Sequence, residues 1–183
     1  RDGRLSGPAF ARALGNGIRA AGADVVDIGR VTTPMTYFAA EHLGTHCCTM
    51  VTGSHNPPDY NGFKMVIAGG TLSGDEIVAL RERIEAGRLA SGQGAYRTAD
   101  ITQAYIERIA GDVRIARPMR IAVDCGNGVA GAYAPALYRR MGCDVVELFC
   151  EVDGHFPNHH PDPSQPANLA DLVRRLADRK SVG

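Results

Sequence analysis

The residues best suited to chemistry in this sequence lie in one segment, residues 52–64, which reads Thr-Gly-Ser-His-Asn-Pro-Pro-Asp-Tyr-Asn-Gly-Phe-Lys. The apolar run before it, residues 47–51, has the character of a short strand. The two consecutive prolines end regular structure, because proline has a fixed φ and no N–H to donate. We therefore predict a stiff loop that holds the hydroxyl of Ser54 at the exit of a strand, with Lys64 returning nearby. A hydroxyl held in this way among polar donors is typical of a nucleophile or a phosphate carrier.

The residues alone leave three interpretations of Ser54 open. The first is an ordinary turn residue, since serine, asparagine, proline and glycine are common in loops. The second is a hydrolase nucleophile, but that motif requires G-x-S-x-G, and Asn56 occupies the position of the second glycine. The third is a carrier of a phosphoryl group. Transfer of that group depends mainly on positioning and charge stabilisation, so it calls for cations and N–H donors nearby, and His55, Asn56 and Lys64 are the candidates.

The segment 52–64 resembles the phosphoserine loop of the α-D-phosphohexomutases, most closely its form in the bacterial phosphomannomutase/phosphoglucomutase group. Other segments carry the same resemblance: residues 1–7 (RDGRLSG), 123–131 (VDCGNGVAG) and 151–163 (EVDGHFPNHHPDP). The resemblance implies that Ser54 carries the phosphoryl group that is exchanged with a sugar phosphate. It also implies roles for four other polar residues, as catalytic residues (His55, Lys64) or as binders of phosphate or substrate (Asn56, Arg4).

The resemblance further implies a reaction and its cofactors. The longer enzyme interconverts hexose 1-phosphate and hexose 6-phosphate, of mannose or glucose, through a 1,6-bisphosphate intermediate. Mg²⁺ is the expected metal, with the phosphate on Ser54 as one ligand and the others in an Asp-Gly-Asp-Gly-Asp loop expected beyond residue 183. Glucose 1,6-bisphosphate is the expected activator, a phosphosugar the substrate, and domains III and IV of the same polypeptide the partners. On these expectations the 183 residues alone are catalytically silent.

Two alternatives to this function stay open. Phosphoglucosamine mutases belong to the same superfamily and typically have alanine before the serine. This sequence has Gly53 there, which favours the mannose and glucose group. The other alternative is a folded fragment without catalytic activity, because the domains that select the sugar are not in these residues.

The segment 151–163 also invites interpretation as a zinc site, because it contains several histidines and aspartates (Asp153, His155, His159, His160, Asp162). The spacing of His155 and His159 suits one face of a helix. However, the segment contains three prolines, which exclude a helix. We therefore predict an ordered loop rather than a metal site.

Helix and strand signals alternate along the chain and predict an α/β fold. Strands are predicted over residues 24–28, 46–51, 63–67, 120–124 and 144–149. Helices are predicted between Ser6 and Gly22, between Thr33 and Gly44, from Ser73, from Ile101 to Arg117, and over residues 129–141 and 167–178. Residues 87–98, with three glycines, are interpreted as a connector.

The predicted elements group into two consecutive α/β domains of the phosphohexomutase type, with mixed sheets and helices on both faces. We place domain I at residues 1–98, without its N-terminal strands, and domain II at residues 99–183, ending before the metal loop. Both domains are therefore expected to be incomplete in this chain.

Composition narrows the class of protein. The chain has 183 residues, 44% of them hydrophobic and 22% charged, and 20 basic residues balance 20 acidic ones. A formal net charge of zero gives no basic field for binding nucleic acid or an anionic membrane. No apolar run approaches the roughly 20 residues that span a bilayer, and the first residues lack the pattern of a signal peptide. Five cysteines, an odd number in mostly apolar segments, indicate reduced core thiols and a cytoplasmic protein.

Overall fold

Helices and strands alternate along the chain, and the mixed α/β fold predicted from the sequence is confirmed. The computed structural model describes residues 1–177 and 182–183. Its helices are α1 (Gly7–Ala20), α2 (Thr33–His42), α3 (Asp75–Glu85), α4 (Thr102–Asp112), α5 (Ala134–Arg140) and α6 (Ala170–Leu176). Its strands are β1 (Val25–Asp27), β2 (Cys48–Val51), β3 (Phe63–Ile67), β4 (Gly70–Thr71), β5 (Tyr96–Thr98), β6 (Arg120–Asp124) and β7 (Asp144–Leu148). Each helix in these ranges is too short or too polar to cross a membrane.

Within the described part of the chain the strands form three small sheets. β1 pairs in parallel with β5, β6 pairs in parallel with β7, and β2, β3 and β4 form an antiparallel sheet. Strands β2 and β3 of the antiparallel sheet are joined by residues 52–62, which we call the Ser54 loop. The parallel pair brings the segments that follow β6 and β7 to the same edge of their sheet. These two edges supply the residues of the site described below.

The main hydrophobic core lies beside the Ser54 loop. Its buried side chains come from α2 and the segment just before it, from β2 and from the residue before α4 (Val31, Met35, Ala39, Met50, Ile101). Met35 is fully buried, and Tyr133, from the second predicted domain, packs against the same cluster. A second cluster, formed by Ile121, Cys143 and Val145, lies under the β6–β7 pair. Side chains from both predicted domains therefore share one core.

The predicted connector over residues 87–98 is wrong in part, because it contains strand β5. All three side chains of β5 are exposed, so the sequence carries no apolar pattern there. Pairing with β1 holds the strand instead, and two side chains anchor the residues just before it: Arg19 Nε donates to the Gly94 carbonyl at 3.0 Å, and the Ala95 N–H donates to Asp24 Oδ1 at 2.7 Å. A Cβ on Gly94 would lie 1.9 Å from the Ala23 carbonyl oxygen, so this approach requires glycine.

The single helix predicted over residues 129–141 is also wrong, since the structure divides it into a 3₁₀ turn, Val129–Ala132, and helix α5. Pro135 lies in the first turn of α5, where its missing N–H is tolerated, and it favours a new helix start. The helix predicted over residues 167–178 likewise begins as a 3₁₀ turn, Pro166–Leu169, before α6. Residue 178 itself lies outside the described residues.

The five cysteines are free thiols, but only Cys143 among them is buried, and Cys47, just before β2, is exposed. The expectation of core thiols is therefore wrong for Cys47. Cys125 and Cys150 follow neighbouring strands, and their sulfur atoms lie 3.5 Å apart. Burial, together with the neighbouring Cys150, raises the pKa of Cys125 well above its ordinary value. A thiol in that environment is a weak nucleophile at neutral pH. The cytoplasmic location stays a prediction.

Candidate functional site

The Ser54 loop is closed at its base by strand pairing. Val51, at the end of β2, pairs with Phe63, at the start of β3, and the Thr52 N–H donates to the Gly62 carbonyl at 3.0 Å. Strand β3 then carries Lys64, whose side chain is exposed, directly opposite Met50 of the core. The strand ends therefore hold the loop and Lys64 on the same part of the surface, as predicted from the sequence.

Ser54 has an unusual backbone conformation. Its φ is 54°, in the left-handed region that non-glycine residues rarely adopt. The Ser54 N–H donates to Thr52 Oγ1 at 2.9 Å, and its carbonyl accepts a hydrogen bond from Arg4 Nη2 at 2.9 Å. This conformation costs energy for a non-glycine residue, so it is retained only where several surrounding contacts hold it. Such residues are concentrated at functional sites. The serine itself is exposed, so its hydroxyl is accessible.

Asn56 contributes mainly to the shape of the loop. Its backbone N–H donates to the Gly53 carbonyl at 3.0 Å, and its side-chain Nδ2 donates to the same carbonyl at 2.9 Å. These two hydrogen bonds to one carbonyl close a tight turn around Ser54. The side-chain amide is therefore engaged within the loop, and the predicted binding of phosphate or substrate by Asn56 stays a prediction.

Arg4 lies beneath the Ser54 loop and not in the open cleft. Its side chain is about 1% exposed, and its terminal nitrogens donate to backbone carbonyls of the loop. The sequence predicted a binder of phosphate or substrate at this position. In the structure the guanidinium is engaged by these carbonyl oxygens and does not line the cleft, so the predicted binding of phosphate or substrate by Arg4 stays a prediction.

His55 connects the Ser54 loop to residues 151–163, which we call the Pro-rich loop. Its Nδ1 lies 2.6 Å from the Pro161 carbonyl oxygen. Since a carbonyl can only accept, Nδ1 carries the proton, and Nε2 of the neutral ring presents a lone pair. The contact thus orients the imidazole and selects its tautomer.

The three predicted catalytic residues line one cleft of about 390 Å³. One wall consists of Ser54, His55, Lys64 and neighbouring residues of the first predicted domain. The opposite wall comes from the segments that follow β6 and β7, including four residues that the sequence reasoning did not select as site residues (Cys125, Gly128, Phe156, Pro161). Two of these lie in the Pro-rich loop, whose resemblance to the family was the one signal that could have indicated them.

The Pro-rich loop has no helix or strand, as predicted, and buried polar residues anchor it. Buried Asn127 donates to the Glu151 carbonyl at 2.9 Å and accepts a hydrogen bond from Asn158 at 2.7 Å. His159 Nε2 lies 3.1 Å from Asp124 Oδ1 at the end of β6, and its Nδ1 lies 2.9 Å from the His160 carbonyl oxygen. These contacts hold Pro161 against His55.

The environment of His159 favours its charged form. Burial alone lowers the pKa of this imidazole, but the hydrogen bonds to the His160 carbonyl and to Asp124, with the charges of Asp124 and Asp171, together raise it above its ordinary value. Both ring nitrogens face acceptors, so the doubly protonated ring satisfies both contacts. A raised folded-state pKa contributes stability that is present below about pH 6.5, and that contribution is lost as the pH rises through the folded-state pKa.

We expect His159→Gln to destabilise the protein more in acid than in base. At pH 5.5 the loss of a charged hydrogen-bonded pair should cost about 2 kcal/mol of the free energy of unfolding, and at pH 8.5 clearly less. Urea denaturation at the two pH values measures the difference. His155→Gln serves as the control, since the His155 side chain is exposed and lies 2.8 Å from Asp153 of its own loop. An equal loss at both pH values would contradict the prediction.

The described residues do not by themselves form a site for Mg²⁺. No group of three or more His, Cys, Asp or Glu side chains converges in residues 1–177 and 182–183. Mg²⁺ requires near-octahedral oxygen coordination, and Ser54 offers one oxygen. In the Pro-rich loop His155 pairs with Asp153, while His159 pairs with Asp124, so these histidines face carboxylates rather than one another.

Comparison with known proteins gives consistent matches along the chain. The family model described as "Phosphoglucomutase/phosphomannomutase, alpha/beta/alpha domain I" matches residues 1–91, and the corresponding domain II model matches residues 103–182. A phosphomannomutase/phosphoglucomutase of Pseudomonas aeruginosa is 54% identical over 100% of this chain and 40% of its own length. A phosphoglucomutase of Neisseria gonorrhoeae is 52% identical over 96% of this chain and 39% of its own length.

The fold is also similar to that of solved structures. A phosphoglucomutase/phosphomannomutase family protein from Burkholderia thailandensis superposes with a TM-score of 0.93 at 50% identity, covering 97% of this chain and 41% of that chain. A second, described as a putative phosphomannomutase from Thermus thermophilus, has a TM-score of 0.80 at 31% identity. The chain therefore spans about 40% of the length of the curated relatives it matches.

Proposed function

The chain belongs to the phosphoglucomutase/phosphomannomutase family, and from that premise we propose that Ser54 carries the phosphoryl group in a phosphohexomutase. The whole protein then interconverts hexose 1-phosphates and hexose 6-phosphates of mannose and glucose. The observation that carries this proposal is the placement of Ser54. Ser54 has a left-handed backbone conformation in a loop held by hydrogen bonds, and it is exposed in a cleft that His55 and Lys64 also line.

Two transfers make up the proposed reaction. In the first, a sugar hydroxyl attacks the phosphorus of phosphorylated Ser54, the bond between phosphorus and Oγ breaks, and the hydroxyl proton passes to a nearby base. In the second, Oγ, which took up a proton when it left phosphorus, gives that proton up and attacks the other phosphate of the bisphosphate. The bond between that phosphorus and the sugar oxygen breaks and the sugar oxygen is protonated, so phosphoserine is regenerated and the product is released. His55 is suited to accept the proton at Nε2, because Nδ1–H is held by Pro161. Lys64 is suited to stabilise charge on the transferred oxygens.

The rest of the proposal concerns groups outside the described residues. Mg²⁺ is the proposed metal and glucose 1,6-bisphosphate the proposed activator, with domains III and IV of the same polypeptide supplying sugar selection. A phosphate on Ser54 would be one ligand of the ion. The proposed division at residues 98 and 99 lies between the two segments that match the family models. We expect the 183 residues alone to give no turnover, since they span about 40% of the relatives' length.

The space around residue 53 bears on the alternative function, phosphoglucosamine mutase. A Cβ on Gly53 would lie 2.5 Å from Arg4 Cζ and 2.6 Å from the Tyr60 carbonyl oxygen. Alanine at this position therefore requires the loop or Arg4 to shift. The observed packing supports a glycine-type loop and, with it, the mannose and glucose group.

Intact-mass measurement after incubation with glucose 1,6-bisphosphate tests the proposed function. The polypeptide that contains these residues together with domains III and IV should acquire one phosphate, mapped to Ser54 by peptide analysis. The Ser54→Ala variant should acquire none. Equal phosphate in the variant, or none in the wild type, would contradict the proposal. Comparison of mannose, glucose and glucosamine 1-phosphates as substrates then distinguishes the mutase classes.

A further inference from the structure

Arg4 is a buried cation whose side chain donates hydrogen bonds to four carbonyls of one loop within the described residues. Nη1 donates to the carbonyls of Pro57 and Tyr60, the latter at 3.0 Å, and Nη2 donates to those of Ser54 and Asn56 at 2.9 and 2.7 Å. Leaving a charge buried without such partners is strongly unfavourable, so the guanidinium and the loop carbonyls depend on each other.

Two further contacts fix the guanidinium in place. Asp2 Oδ2 lies 3.3 Å from Arg4 Nε, and the other carboxylate oxygen accepts the Arg4 backbone N–H at 3.0 Å. Nε has no well-aligned hydrogen-bond acceptor among the described residues, so Asp2 acts on it chiefly through charge. Phe156 of the Pro-rich loop covers the guanidinium at 5.3 Å from Cζ to the ring centroid. The Asp2 carboxylate and the Phe156 ring therefore orient the planar guanidinium of Arg4.

This arrangement determines which groups of the loop face the cleft. The C=O and N–H groups of one planar trans peptide point in opposite directions. The Ser54 carbonyl points inward to Arg4, so the N–H of His55 in the same peptide points away from Arg4, toward the exposed side of the loop. Four carbonyl oxygens, whose partial negative charges would repel a phosphate, are turned away from that side. A surface that presents an N–H group, with the carbonyl oxygens turned away from it, is suited to bind an anion.

We propose that Arg4 is the positioning residue of the Ser54 loop: its guanidinium binds the loop carbonyls from beneath and so holds Ser54 and the His55 N–H toward the cleft. This inference rests on the proposed function of Ser54 as phosphoryl carrier. Arg4 does not touch the reacting atoms in this role and acts through the backbone of the loop. The role differs from the direct binding of phosphate or substrate that the sequence suggested.

Hydrogen exchange of Arg4→Lys tests the positioning role without any need for activity. Lysine keeps the charge but lacks the planar fork that reaches several carbonyls at once. We expect the amides of Ser54, Asn56 and Tyr60 to exchange about 10- to 100-fold faster, while amides of β6 and β7 change little. Arg12→Lys, at an exposed arginine of α1, is the matched control. Unchanged loop exchange in a folded Arg4→Lys protein would overturn the proposal.

Phe156→Leu provides a second variant should Arg4→Lys not fold. It removes the ring over the guanidinium and leaves the hydrogen-bonding groups in place. The same three loop amides should exchange about 2- to 5-fold faster, as expected for loss of a cation–π contact. A loop exchange pattern identical to that of the wild type would overturn the proposal.

Steady-state kinetics of the longer polypeptide separate positioning from substrate binding. A misplaced carrier should lower the kcat of Arg4→Lys about 100-fold and leave KM within about 3-fold of the wild-type value. A raised KM with unchanged kcat would mean that Arg4 binds substrate directly, and it would overturn the positioning role. If the wild type shows neither mutase activity nor phosphate on Ser54, the proposed function fails, while the exchange measurement still decides how Arg4 acts on the loop.

Discussion

Replacement of Ser54 by alanine should abolish phosphoryl transfer. We expect the kcat of the longer polypeptide to fall by several orders of magnitude, because the hydroxyl that accepts and returns the phosphate is gone and no neighbouring group replaces it. The fold should be retained, since the hydrogen bonds of Ser54 to Thr52 and Arg4 come from its backbone atoms. A coupled assay with glucose 1-phosphate, Mg²⁺ and glucose 1,6-bisphosphate measures the effect.

The control for this variant is Ser91→Ala, at an exposed serine in the segment before β5. It should retain wild-type turnover and melting temperature. Near-wild-type turnover of Ser54→Ala with the bisphosphate present would contradict the carrier role. Unfolding of Ser54→Ala, detected by circular dichroism, would instead indicate a structural function for the hydroxyl.

Replacement of Lys64 by methionine should impair catalysis with little effect on stability. Removal of a preorganised positive donor beside the transferring phosphate should cost about 2–4 kcal/mol of transition-state stabilisation, or about 30- to 1,000-fold in kcat/KM. The side chain is exposed on β3, so folding does not depend on its burial. Methionine retains most of the length of the lysine side chain and removes its charge.

Arg97→Met is the matched control for Lys64→Met, because Arg97 is also an exposed cation on a short strand. It lies on β5 and does not line the cleft, so kcat/KM should be unchanged. A loss of stability in Lys64→Met as large as its loss of activity would make Lys64 a structural residue. Lys64→Arg should recover only part of the activity, since the guanidinium differs in shape from the ammonium group.

Elements with strong local signals were predicted well. The bounds of β3 and β6 agree residue for residue with the prediction, because glycine or proline and apolar runs mark both strands. The Ser54 loop was also expected, since two prolines prevent any continuation of β2. Strand β5 was missed because its exposed side chains leave no apolar pattern, and contacts with residues about 70 positions away hold it.

The sequence by itself determined the chemistry that is available to this protein. Residue types and order place a serine, a histidine and a lysine on one loop and strand, and the resemblance extends along the chain to the Pro-rich loop. These properties depend on neighbours in the chain, whose backbone preferences are local.

Only the tertiary structure decided what each polar group faces. Arg4 lies 50 to 56 positions before the carbonyls that it binds, and His55 lies 106 positions before Pro161. The family resemblance of residues 1–7 made Arg4 a candidate to bind phosphate, and a guanidinium can donate to phosphate oxygens as well as to carbonyl oxygens. The pairing of β2 with β3 and the packing of residues 1–7 beneath them bring it to the carbonyls. Long-range contacts of this kind have no local signal, because their partners are chosen by how the elements pack.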